Sequence, residues 1–293
     1  MIFDNRRCEL GEGPLWHPLR EQLFWFDIVN QRLLTQEAGL AREWRFPKMV
    51  SAAGWISHDE LLIADEDGLF LFDLRTEETS PVAALEAENR RTRSNDGRAD
   101  PQGGFWIGTM GKQAEPGAGA IWRYWRGEMR RLFAPMTIPN AISFAPGGRS
   151  ACFTDTVTGR VMRVALDAQG WPSGQPEVWL DLSAEGLNPD GAVIDSDGVM
   201  WIAEWGAARV AAYSPQGERL RVQEFDAPHT SCPAFGGPYL STLFCTSALQ
   251  GMDPTARKAH PAAGTVMSAP SVARGQPECC VTLGPPAIGT PSP

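Results

Sequence analysis

The feature that most constrains this chain is a run of short strands and tight turns that restarts at Glu12, Ala52, Asn95, Asn140, Asp190 and Pro233, roughly every 40 to 50 residues. The stretch Asn188 to Trp205, NPDGAVIDSDGVMWIAEW, shows it most plainly. A polar opening that ends in Asp190 leads into a strand through Ala192, Val193 and Ile194. Asp195-Ser196-Asp197-Gly198 then turns the chain, and a second strand runs from Val199 to Ala203. Gly198 supplies the positive φ that a tight return turn needs.

The same grammar fills the rest of the chain. In the first repeat, strands are predicted at Gln22 to Asp27, Arg32 to Gln36 and Ala41 to Phe46. These connections are too short to hold a crossover helix, so consecutive strands are antiparallel neighbours. Nothing resembling a linker separates one repeat from the next. Six repeats of this length predict an all-β fold, a six-bladed β-propeller of four-stranded antiparallel blades. Residues 1–285 are expected to form that single domain, with 286–293 as a loose tail. A ring needs its free edge covered, and the segment Ile2 to Glu9 is placed to pair with the last blade. A final strand is predicted at Glu278 to Leu283. Composition agrees: 43% hydrophobic residues provide a core, while Gly 30, Pro 24 and Trp 11 fit many turns with aromatic packing between them.

A net charge of -9 argues against a nucleic-acid surface, which needs clustered positive charge. No stretch approaches the ~20 apolar residues of a membrane helix, and no secretory leader is apparent, so a cytoplasmic monomer is the default expectation. The six cysteines lack CxxC spacing and read as free thiols. Of the four histidines, His17 and His58 fall in predicted outer turns, His260 in a polar excursion from Gln250 to Ala263, and only His229 near the mouth of the ring. No HExxH, GxSxG or phosphate-cradling loop is present.

A ring gathers Glu12, Arg93, Asn95, Asn140 and Asp190, distant in sequence, at one end of its channel. Two carboxylates and an amide oxygen form a hard donor set suited to a divalent cation. The same residue types also cap turns through their own backbone, and the residues alone leave both readings open.

The segments LGEGPLW at 10–16, LFWFDI at 23–28, SNDGRADPQGGFWIGTM at 94–110, IPNAISFAP at 138–146 and NPDGAVIDSDGVMWIAEWG at 188–206, taken in this order and spacing, resemble the SMP-30/gluconolactonase family of regucalcin-like propellers. The resemblance runs from about Leu10 to Leu283 and implies metal-dependent hydrolysis of a sugar lactone. It implies one divalent ion (Ca, Zn, Mn, Mg or Fe) held by Glu12, Asn140 and Asp190, with Asp190 also the catalytic base. It further implies substrate contacts from Arg93 and Asn95, to which Lys112 is added as a candidate. Where the animal members carry a glutamate pair after the GTM motif, this chain reads Gly111-Lys112-Gln113, which leaves the choice of sugar open. Two rivals accompany this reading: a calcium- or carbohydrate-binding propeller without turnover, and a related metal-dependent aryl-ester or phosphotriester hydrolase.

Overall fold

The computed structural model of the protein describes residues 1–284; the expected tail, 286–293, lies outside them. Six four-stranded antiparallel sheets surround a channel, each with its strands in sequence order from the inside outward, apart from one exchange in the last. Their inner strands are Gly11–His17, Val50–Trp55, Thr92–Ala99, Pro139–Phe144, Asn188–Ile194 and Thr230–Gly236.

Burial explains why each blade forms. The second strands, such as Gln22–Asp27 (QLFWFD), are buried on both faces because each sheet is covered by a neighbour on either side. Outermost strands such as Arg219–Glu224 (RLRVQE) are largely exposed. The described residues hold six buried apolar clusters, one in each gap between adjacent blades. Trp201 of the fifth blade meets Phe235 of the sixth edge-on at 5.7 Å, and Phe24 to Phe26 of the first are fully buried. A side chain buried this way contributes about 1.5–3 kcal/mol relative to exposure.

The ring closes as the sequence suggests. Ile2–Asp4 pairs antiparallel with Val266–Ala269 and becomes the outer strand of the sixth blade. Arg257, on the short helix Pro254–Ala259, grips Glu9 through two hydrogen bonds of 2.6 and 3.0 Å. This helix occupies the polar excursion, and Asp253 caps it by accepting from Ala256 N at 2.8 Å.

Two expectations are corrected. Glu278 to Leu283 is not a strand; the chain from Gln276 runs without a sheet partner across the far end of the channel. Its apolar residues are used end-on: Val281 packs into the gap between the second and third blades, and Val281 N donates to Trp55 O at 2.9 Å. His17 is not in an outer turn but fully buried at the end of its inner strand, with Nε2 2.9 Å from Ser57 O; burial lowers its pKa to about 4.

Candidate active site

In five blades the inner strand uses three residue steps where its partner uses two: Glu12 to Leu15, Ser94 to Gly97, Asn140 to Ser143, Pro189 to Ala192 and Thr230 to Pro233. These are β-bulges, which twist a strand and re-aim its side chains. Glu12 and Asn140 open their bulges, while Asn95 and Asp190 stand second in theirs. Gly13, beside Glu12, has φ 52°, and a Cβ there would lie 2.3 Å from Ser51 O, so this step tolerates no side chain. In the second and sixth blades the polar side chains at this level are Ser51 and Ser231, not the Ala52 and Pro233 that the spacing picks out. Ser51 Oγ lies 2.6 Å from Asn95 O, and Ser231 Oγ lies 2.5 Å from Gly11 O.

Hydrogen bonds link four of the site residues in one line. Arg93 Nη1 donates to Asn95 Oδ1 at 2.8 Å, Asn95 Nδ2 to Asn140 Oδ1 at 3.0 Å, and Asn140 Nδ2 to Asp190 Oδ1 at 2.6 Å. Asn140 Nδ2 also reaches Thr156 Oγ1 at 2.9 Å. Glu12 stands apart from this line, its Oε2 accepting from Gly13 N at 3.0 Å. All five residues line one cavity of about 320 Å³, joined by Lys112, Met110, Trp205 and Gln250 among others. Lys112 reaches this cavity but is ion-paired with Glu66 of the second blade.

The electrostatics are unbalanced. Burial and the nearby Asp96 push the Glu12 carboxyl up to about 8. Burial, Glu12 and Asp96 together hold Asp190 well above the usual carboxylate range. Asp96 itself is raised to about 6 by burial, although it accepts from Ile142 N at 2.8 Å. Arg93 is the cation that opposes both Glu12 and Asp190, and its own burial lowers it to about 10. Buried carboxylates facing one cavity with too little positive charge are what a divalent cation would satisfy. The donor set fits such an ion, with one adjustment: Asn140 turns its nitrogen toward Asp190 and its oxygen toward Asn95, and ligation asks for a half-turn of this amide.

A profile of the SMP-30/gluconolactonase/LRE-like region matches residues 10–249. The chain belongs to this family. A homologue from Rhizobium meliloti is 42% identical over 259 residues, 87% of this chain and 88% of its own. L-arabinolactonase from Azospirillum brasilense is 31% identical over 276 residues, 92% of this chain and 90% of its own. The crystal structure of a calcium-binding protein, regucalcin, from Agrobacterium tumefaciens superposes with a TM-score of 0.94 at 39% identity, covering 96% of this chain and 97% of that one.

The structure brings Glu12, Arg93, Asn95, Asn140, Asp190 and Lys112 to one cavity. The sequence reading passed over Trp205, which also lines it, and Asp96, which acts on its charge. The signal for Trp205 was present: it stands one strand-turn-strand after Asp190, at the end of the returning strand.

Proposed function

We propose that this chain hydrolyses the lactone of a five- or six-carbon sugar acid to the open acid, with one divalent cation held by Glu12, Asn140 and Asp190. The observation that carries the reading is the pair of buried carboxylates, Glu12 and Asp190, raised in pKa beside Asn140 in one cavity of a chain of this family. The lactonase names of relatives, such as the L-arabinolactonase, support the reaction class.

When bound, the cation polarises the lactone carbonyl and draws the negative charge that builds on its oxygen. Asp190, as a carboxylate, takes a proton from the attacking water while the water oxygen bonds to the carbonyl carbon. It returns that proton to the ring oxygen as the C–O bond breaks, which leaves a hydroxyl and a carboxylic acid. Asn140 Nδ2 holds Asp190 Oδ1 in place. Arg93 commits Nη1 to Asn95 and Ser94 O, and its other guanidinium nitrogens make no hydrogen bond among the described residues. Those free N–H groups orient the polyol, together with the remaining acceptor site of Asn95 Oδ1, whose Nδ2 is committed to Pro139 O and Asn140 Oδ1. Lys112, held by Glu66 at the wall, addresses a hydroxyl at the far side of the ring. A cavity of about 320 Å³ is at the small end for ligand sites and suits a single ring.

The test is a pH-indicator assay over glucono-, xylono-, arabinono- and galactonolactone, run on chelated protein and again with each divalent metal restored. Metal-dependent acid release above the spontaneous rate is the expected result. Binding of metal with no acceleration on any of these lactones would contradict the reading and favour a binding propeller.

A further inference from the structure

Trp205 ends the second strand of the fifth blade, Met200–Trp205, in register with Asn188 and so two residues from Asp190 on the inner strand. One blade therefore delivers both Asp190 and an indole to the same cavity. The indole is stacked on the His229 imidazole, with ring centroids 4.4 Å apart and planes 12° from parallel. Its ring also packs against the apolar cluster that contains Leu10 and Ala248. The cavity touches Trp205 but not His229, so the indole screens the imidazole from it.

Two observations separate Trp205 from an ordinary packing tryptophan. Trp25, Trp106 and Trp201 are enclosed between blades, at 0% to 2% exposure, whereas Trp205 is half-buried, and the other half-buried tryptophans, Trp55, Trp122, Trp125 and Trp179, each donate their indole N–H, to Glu278 O, Glu86 Oε1, Gln102 O and Pro215 O. Its indole N–H makes no hydrogen bond among the described residues and is not sealed from solvent, on a side chain that lines the cavity. Burial lowers the pKa of His229.

The polar side chains of the cavity address hydroxyls and a carbonyl, and of its apolar lining, which includes Leu10, Met110, Ala114 and Ile138, Trp205 is the one aromatic side chain. A sugar lactone also presents a face of C–H bonds, for which a flat aromatic surface is the natural partner. We propose that Trp205, backed by His229, is the platform on which that C–H face lies, and that it determines specificity by setting the tilt of the ring against Asp190. Lactones with one face clear of hydroxyls are the class it selects. The inference deepens the lactonase reading and rests on it for the identity of the ring.

The experiment pairs kinetics with binding. W205A and W205F are assayed on the best lactone, and the Trp205 indole N–H resonance, assigned by its loss in W205F, is followed while D-xylose or D-glucose, cyclic polyols without a lactone carbonyl, is added. W205A is expected to raise KM about tenfold with a smaller change in kcat, and W205F to restore most of the loss. The indole resonance is expected to shift with the sugar. If the wild type turns over lactones while W205A keeps its KM and the resonance stays still, the platform is overturned and the lactonase reading stands. If no lactone is hydrolysed but the resonance moves with sugar, the lactonase reading fails and the platform is supported. Should W205A not fold, W205F and the resonance decide: a KM raised tenfold in W205F with no shift on sugar counts against stacking.

Discussion

The two ends of the channel are built from the same six inner strands and treat buried charge in opposite ways. At the far end, Arg98 is answered by Glu278 at 2.5 Å and by Ala192 O and Ile142 O at 3.2 and 3.3 Å. Gln276 Nε2 donates to Phe144 O at 3.2 Å and Ile194 O at 2.9 Å, and Trp55 Nε1 to Glu278 O at 2.8 Å. Opposite charges there are matched and the segment seals the channel. At the mouth, Glu12, Asp96 and Asp190 share too little positive charge, and their carboxyls are raised. A protein tolerates such imbalance where a site needs it, and the difference separates the end that holds the fold from the end proposed to do chemistry.

E12Q and D190N are expected to lose about a thousandfold or more in kcat/KM on a sugar lactone. In the chelated protein the same changes are expected to raise the melting temperature or leave it unchanged, because each removes a buried carboxyl that is poorly matched. E278A is the mirror case. It leaves Arg98 buried without its partner and is expected to cost about 3 kcal/mol in chemical denaturation, while the folded fraction keeps its kcat/KM.

The pH dependence sharpens the contrast. Glu12 rises from an ordinary 4.5 to about 8 on folding. The folded chain therefore holds this proton more tightly than the unfolded one. Its contribution to stability is complete below about 4.5 and is lost as pH rises through about 8. The melting temperature of the chelated protein should fall across that window. A divalent cation must displace the proton, so its stabilising effect should be larger at pH 8 than at pH 5.5. Smaller effects are expected at the substrate wall: N95A should lose about tenfold or somewhat more in kcat/KM, through lost orientation of the ring. K112Q should lose only about two- to fivefold, because Lys112 already spends its charge on Glu66.

Much of the fold was legible because it repeats. Strand length, turn residues such as Asp195 to Gly198, and a steady period are local signals, and each blade restates them. The Asp195 carboxylate accepts from Asp197 N and Val199 N at 3.0 and 2.9 Å, the bonds such a turn implies. Grouping of Glu12, Arg93, Asn95, Asn140 and Asp190 at one mouth followed from the ring. Other features depended on partners that no local pattern reveals. Glu278 to Leu283 reads as a strand by its apolar run, but the second and third blades receive it end-on. The bulges that aim Asn95 and Asp190 are mismatches between two strands, and Ser51 and Ser231 are placed by mismatches in their own blades, at Val50 to Ala52 and Thr230 to Pro233, rather than by period. Trp205 looks like one more packing aromatic until its neighbour, His229, and its open face are seen together.

The uncompensated carboxylates at the mouth are proposed to hold a divalent cation for lactone hydrolysis. Isothermal titration of chelated wild type, E12Q and D190N with Ca²⁺, Mn²⁺ and Zn²⁺, each sample then assayed on the same lactone, tests this most directly. One ion per chain bound by the wild type, lost in both variants and restoring hydrolysis on addition, is the expected result. Full hydrolysis by chelated wild type, or equal metal binding by all three proteins, would contradict it.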